Sequence, residues 1–232
     1  RFLEAIEYLE GSMEKFETIE HDKEVVECLV ELGNAAFAGL QFAESREYFT
    51  RAISLSSSLH VSLPESPHLG LARALAALDN LDQAEAHLAE ALANTGTSND
   101  RLQMAHVQYF IGDLHLARRE FSDAMSHYER VEEIARSVGH TQHWLDSQIR
   151  RAYLAFDAGD SAEAYDRLSQ TMQLAEEVGD EDNELCVRAH VIYLQLLEHD
   201  FRTHGDTFGS LLEKSQKIRL TRAPVLCHLF QA

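Results

Sequence analysis

Residues 107–131, VQYFIGDLHLARREFSDAMSHYERV, decide how this chain folds. Apolar residues recur at spacings of three and four around Gly112, and a short polar turn at Arg118, Arg119 and Glu120 separates them from a second amphipathic run that opens at Phe121. In that run Ala124, Tyr128 and Val131 share one side of a helix, because residues three and four apart lie on the same face. A small residue there admits a close neighbour, and a large one fills the space beside it. The stretch reads as two antiparallel helices joined by a tight turn.

The same pattern recurs along the chain. FLEAIEYLEGS from Phe2, FAESREYFTRA from Phe42, LDQAEAHLAEA from Leu81, FSDAMSHYERV from Phe121, SAEAYDRLSQT from Ser161 and FRTHGDTFGSL from Phe201 align with starts 40, 39, 40, 40 and 40 residues apart. Their small column is Ala5, Ser45, Ala84, Ala124, Ala164 and His204, and their large column is Leu9, Phe49, Leu88, Tyr128, Leu168 and Phe208. Gly33, Ala72, Gly112, Ala152 and Ile192 mark a preceding helix in each unit after the first. Helix-boundary signals fall between the units: Ser66 as an N-cap before Pro67, then Gly139 and Gly179 as stops, each ahead of a polar cap such as Thr141. A period of this length is the signature of stacked helical units, none of which can bury its apolar face alone.

On these residues the chain resembles the tetratricopeptide repeat family, in extended repeats of about 40 residues. The shared pattern is a large residue then glycine in the first helix (Leu32-Gly33, Ile111-Gly112), an aromatic entering the second (Phe42, Phe121), then Ala84, Leu88 and Ala91. The resemblance runs from about Phe2 to at least Leu174, with a decayed unit to about Ile218. It implies an all-α fold, a right-handed superhelical solenoid of antiparallel helical hairpins whose first helices line a concave groove. Most units lack the family's proline after the second helix, and Arg151-Ala152 stands where Leu-Gly is expected. The expected organisation is a single solenoid over 1–232, with a half-unit at 1–20, units at about 22–59, 66–94, 99–138, 141–179 and 182–218, and a C-terminal helix at about 219–232. A leading half-unit and the absence of an initial methionine point to a piece of a longer chain.

Composition narrows the partners. With 39 acidic against 20 basic side chains the net charge is -19, which disfavours nucleic acid and anionic membranes and leaves a basic or neutral protein or peptide. Three prolines and eleven glycines are too few to turn a β-sandwich of this length. No apolar run approaches the roughly 18 to 20 residues needed to cross a bilayer. Cys28, Cys186 and Cys227 form no CxxC pair, which argues against a disulfide framework or zinc knuckle and for a cytoplasmic chain. Serine elbows, phosphate loops and HExxH are absent. His140 and His143 lack a third ligand in phase, and His199, Asp200, His204 and Asp206 read as a solvated turn. No catalytic residue, metal or cofactor is expected.

The first-helix stripe carries the candidate contacts. Asn34, Arg73, Asp113, Tyr153 and Tyr193 follow the unit markers directly; Tyr109 is four positions earlier in its unit, His106 and Asp146 seven earlier, and Phe37 and Phe156 three later. Aromatics mixed with hydrogen-bonding groups suit a stripe that grips an extended peptide or a partner helix. A chaperone-tail clamp is not expected: Asn34 matches one element of it, but Val30, His106 and Phe110 stand where the family's lysines and arginine would be. The expected function is a non-enzymatic interaction module binding a peptide or partner segment, within a larger regulatory or assembly protein. The alternatives are a ligand-gated sensor controlling an attached effector domain, and a homo-oligomeric scaffold.

Overall fold

The computed structural model describes residues 2–59, 66–98 and 100–198. They form helices α1 (Phe2–Thr18), α2 (Asp22–Ala38), α3 (Phe42–Leu59), α4 (Pro67–Ala77), α5 (Leu81–Ser98), α6 (Arg101–Ala117), α7 (Phe121–Val138), α8 (Thr141–Asp157), α9 (Ser161–Val178) and α10 (Glu181–Glu198). Among the described residues there is no strand. Five of the aligned blocks each open a helix, at Phe2, Phe42, Leu81, Phe121 and Ser161. The sixth block from Phe201, its turn histidines and the helix expected near 219–232 lie outside the described residues.

Contacts divide the chain into two compact units, 1–127 and 128–232, with the division inside α7. In the first unit each helix from α1 to α5 packs on its successor, and α2 also touches α4 as α4 touches α6. In the second, α8 packs on α9 and α9 on α10, while α8 reaches α10 directly.

The hairpin turns share one backbone solution. Leu40, Asp79, Arg119 and Gly159 all take the left-handed conformation, at φ of 61°, 62°, 62° and 86°. The next amide in each turn reaches back to a carbonyl five residues earlier: Gln41 to Ala36, Asn80 to Leu75, Glu120 to His115 and Asp160 to Ala155, each at 2.9 Å. This satisfies carbonyls that the end of a helix would otherwise leave unpaired. Three of the four turns do so without glycine, at a conformational cost of about 1 kcal/mol each.

The large column fills the gap that the small residues leave. Phe49, 1% exposed, points at two glycines on neighbouring first helices, Gly33 on α2 and Gly70 on α4. A Cβ at Gly33 would stand 2.8 Å from the ring, and one at Gly70 only 2.2 Å from it. Ser45 Oγ donates to the Gly33 carbonyl at 2.8 Å, so the small column also ties the two helices of this hairpin. Buried Leu29, Leu32, Leu75 and Leu88 complete this core, and Ala164, Leu168, Val187 and Leu194 occupy the same role in the second unit.

A polar rung crosses three hairpins at one repeat position. His68 Nδ1 meets His87 Nδ1 at 3.0 Å, His127 Nδ1 donates to Gln108 Oε1 at 2.7 Å, and Arg167 donates to Gln148 Oε1 at 3.0 Å. Asp100 and Asp160 cap α6 and α9 through their carboxylates. Two sequence expectations shift here. Ser66 occupies the N-cap position of α4 but its side chain makes no capping bond, and the cap of α8 is His140, one residue before Thr141.

Candidate functional site

In the first unit three successive first helices bring their stripe residues together. Arg73 on α4 lies between two aromatic rings, its Cζ 4.4 Å from the centroid of Phe37 on α2 and 4.8 Å from that of Phe110 on α6. A guanidinium over a ring face gains about 0.5–2 kcal/mol, according to how far water is excluded. Tyr109 stands edge-on to Phe110 at 5.5 Å, His106 is 5.1 Å from the same ring, and Phe42 packs on Phe37 at 5.2 Å. Beside this stack is a cavity of about 220 Å³. Ala72, Ala76, Leu88 and Leu114 contribute its apolar lining, and Arg73 and Asp113 its charged groups. Small residues on α4 leave the space open; aromatic residues on α2 and α6 wall it.

Phe37, Arg73, His106, Tyr109 and Asp113 of the expected stripe therefore gather around one feature. Asn34 sits one turn before Phe37 on α2, half-buried, and does not line the cavity. Phe110 was missing from the stripe. Its spacing gave the signal, since it falls four residues after His106 and three before Asp113.

In the second unit Tyr153 on α8 shares a 2.6 Å hydrogen bond with His190 Nδ1 on α10, and its ring is 6.1 Å from that of Tyr193. Burial, then the neighbouring Tyr193, push the Tyr153 phenol well above its ordinary range, so it stays protonated. Phe156 packs half-buried on the same core. Asp146, further back on α8, accepts two bonds from Gln142 Nε2 at 3.1 and 3.2 Å, and Gln142 Oε1 accepts from Asn183 on α10 at 3.0 Å. Tyr153, Phe156 and Tyr193 are thus brought together, and Asp146 belongs to a separate amide network.

One cluster has metal-ligand chemistry. His115, Glu120 and Asp123 bring ligand atoms within 4.8 Å of one another before and into α7. His115 Nδ1 already shares a 2.6 Å hydrogen bond with Glu120, which accounts for the pair as a closure of the turn. Among the described residues no helix is long and apolar enough to cross a membrane.

Residues 65–137 match the tetratricopeptide repeat family model. No curated protein matches the sequence significantly. Solved structures do resemble the fold. A Rap protein complexed with Competence and Sporulation Factor superposes with a TM-score of 0.75 at 16% identity, over 99% of this chain and 69% of that one. NprR in complex with its cognate peptide NprX gives 0.74 at 12% identity, over 98% of this chain and 66% of that one. BtubC from P. vanneervenii gives 0.69 at 13% identity, over 94% and 91%. At these identities the likeness is one of fold. Residues 65–137 are thus tetratricopeptide repeat sequence, set within an all-α chain whose helical hairpins have the tetratricopeptide-like fold.

Proposed function

We propose that the chain is a non-enzymatic interaction module that binds a peptide or partner segment along its first helices, with the Phe37, Arg73, Phe110 and Asp113 cavity as the principal contact. The observation that carries this reading is the stack of Arg73 between two rings beside an open apolar cavity, built from three consecutive repeats. A flanked guanidinium loses little further freedom on binding, and its donors recognise carbonyl or carboxylate oxygens. The neighbouring apolar space, about 220 Å³, has room for one aliphatic side chain. Tyr153, Phe156 and Tyr193 supply a second aromatic contact in the other unit. The acidic surface favours a basic or neutral segment. NprR, of similar fold, is solved with its cognate peptide, which supports a peptide as the ligand class.

The test is selection of binding peptides from a random displayed library against the wild-type chain, followed by calorimetry on variants. Arg73→Ala and Phe110→Ala weaken the selected peptides at least about tenfold, the loss expected when a well-buried contact is truncated. Peptides that bind both variants and a Tyr153→Ala, Tyr193→Ala double variant as well as wild type would overturn the assignment.

A further inference from the structure

A second, larger cavity, of about 400 Å³, opens in the second unit among the last turns of α7 and α9 and the first turn of α8. It is separate from the first-helix stripe: Trp144, which lines it, precedes Asp146 by two residues and so points elsewhere on α8. Ala135, Leu174 and the Trp144 ring make it apolar; Gln170, Gln173 and Glu177 on α9, His140 and Thr141 at the start of α8, and Arg136 on α7, which pairs with Glu132, make its polar side. This volume lies in the range of pockets that hold small ligands or single anchoring side chains.

The repeat supplies its own comparison. At the position of His140 the units on either side carry Asp100 and Asp180, both accepting backbone amides at the start of the next helix. His140 does the same through Nδ1 at a longer 3.3 Å. At the position of Trp144 the same neighbours carry Met104 and Glu184, and this is the only tryptophan in the chain. Histidine also stands at the N-cap of α2, as His21, so the residue that sets this cavity's wall apart is Trp144. Departures from a local rule concentrate where function has displaced stability.

The uncommitted acceptors on α9 point to the ligand. Gln170 Nε2 donates to Asp166 at 2.7 Å and Gln173 Nε2 donates to Glu177 Oε1 at 3.0 Å. The two carboxamide oxygens and the second Glu177 oxygen accept no hydrogen bond from the described residues. They lie at i, i+3 and i+7 on one face of α9. The indole face already tolerates a guanidinium, since Arg136 Cζ is 5.9 Å from its centroid, with its charge committed to Glu132 at 2.7 Å. Three acceptors beside an indole call for a planar, donor-rich cation. We propose that this cavity binds an arginine side chain of a protein or peptide partner, its guanidinium against Trp144 and its donors on Gln170, Gln173 and Glu177. The net charge of -19 draws such a partner in, and the three acceptors select guanidinium over ammonium.

The experiment titrates acetyl-Gly-Arg-Gly-amide into the intact chain at physiological salt and follows the fluorescence of Trp144. A saturable change is expected. Glu177→Gln weakens it at least about tenfold, as loss of a charge-assisted contact requires. Glu176→Gln makes the same change of charge off the cavity wall and leaves the affinity within about twofold. Both positions are exposed, so neither variant threatens the fold. The proposal is overturned by the absence of a saturable change, by equal binding of acetyl-Gly-Lys-Gly-amide or acetyl-Gly-Glu-Gly-amide, or by equal effects of the two glutamate variants. The outcome is distinguishable from that of the first-helix reading, because Phe37, Arg73, Phe110 and Asp113 do not line this cavity.

Discussion

Replacing Gly70 by alanine tests the packing rule on which the first unit is built. The added Cβ would lie 2.2, 2.3 and 2.7 Å from Phe49 Cζ, Cε1 and Cδ1, whereas carbon atoms normally rest about 3.5–4.0 Å apart. The ring must therefore retreat by more than about 1 Å. Relief toward Gly33 is small, because the ring already lies within 2.9 Å of the point a Cβ there would occupy. Overpacking of this kind costs about 1–3 kcal/mol, while exchanging glycine for alanine inside a helix returns up to about 1 kcal/mol. The clash wins. Gly70→Ala should lose about 1–2 kcal/mol, or about 2–8 °C in Tm for a chain of this size. Gly33→Ala, with a 2.8 Å approach, should lose less, and Gly11→Ala, which has nothing within 4 Å, should gain. Urea unfolding followed by far-UV circular dichroism measures all three. A cycle with Phe49→Leu, which shortens the offending ring, should show coupling of at least about 1 kcal/mol. If Gly70→Ala is as stable as Gly11→Ala, or the cycle shows no coupling, the wedge is not what sets the helix spacing.

Four further outcomes follow from single contacts. Leu40→Gly relieves a left-handed residue that is 74% exposed and should raise stability by about 0.5–1 kcal/mol in the same unfolding assay. Burial holds both His68 and His87 below the ordinary histidine value, and His87 lowers His68 further. Above pH 6.5 both are neutral folded or unfolded; below it the unfolded chain takes up protons that the folded pair refuses, so stability falls as pH drops through the lowered values. His68→Gln installs the Gln–His rung of the next hairpin and should flatten that dependence in a pH series of unfolding midpoints. Tyr153→Phe leaves His190 Nδ1 without its 2.6 Å partner and should cost about 1–2 kcal/mol without altering the helical spectrum. His140→Asp restores the cap used by the neighbouring units and should stabilise α8 by about 0.5–1 kcal/mol, read by hydrogen exchange of its first turn.

What was legible in the sequence was whatever depends on periodicity. The 40-residue spacing set the helix starts at Phe42, Phe121 and Ser161, because a helical face needs only the right residue every third or fourth place. The first-helix stripe gathered Phe37, Arg73 and Asp113 for the same reason. Features that depend on backbone contact between repeats were not legible. Gly70 does not stand at the unit marker, which is Ala72, yet it makes the closer approach to Phe49. The left-handed turns at Leu40, Asp79 and Arg119 carry no glycine, so tertiary packing rather than local preference fixes them. Cavities escape sequence reading altogether, since they are defined by what is small on several helices at once.

The repeats also separate what the fold demands from what it merely permits. At the hairpin turn four different residues, Leu40, Asp79, Arg119 and Gly159, adopt one backbone conformation, so the geometry there belongs to the fold and the side chain does not. At the polar rung the partners change from His–His to Gln–His to Gln–Arg while the contact persists at 3.0, 2.7 and 3.0 Å. A position that keeps its contact while changing its chemistry is structural. His140 and Trp144 behave differently: the helix start they occupy matches its neighbours, but the cap lengthens to 3.3 Å against 3.0 and 3.1 Å at Asp100 and Asp180, and an indole stands beside a cavity. A weaker cap lowers stability in a fold that offers a better residue at the same place twice. The indole on the cavity wall, rather than the weaker cap, directs the search for a partner to the start of α8 as much as to the first-helix stripe.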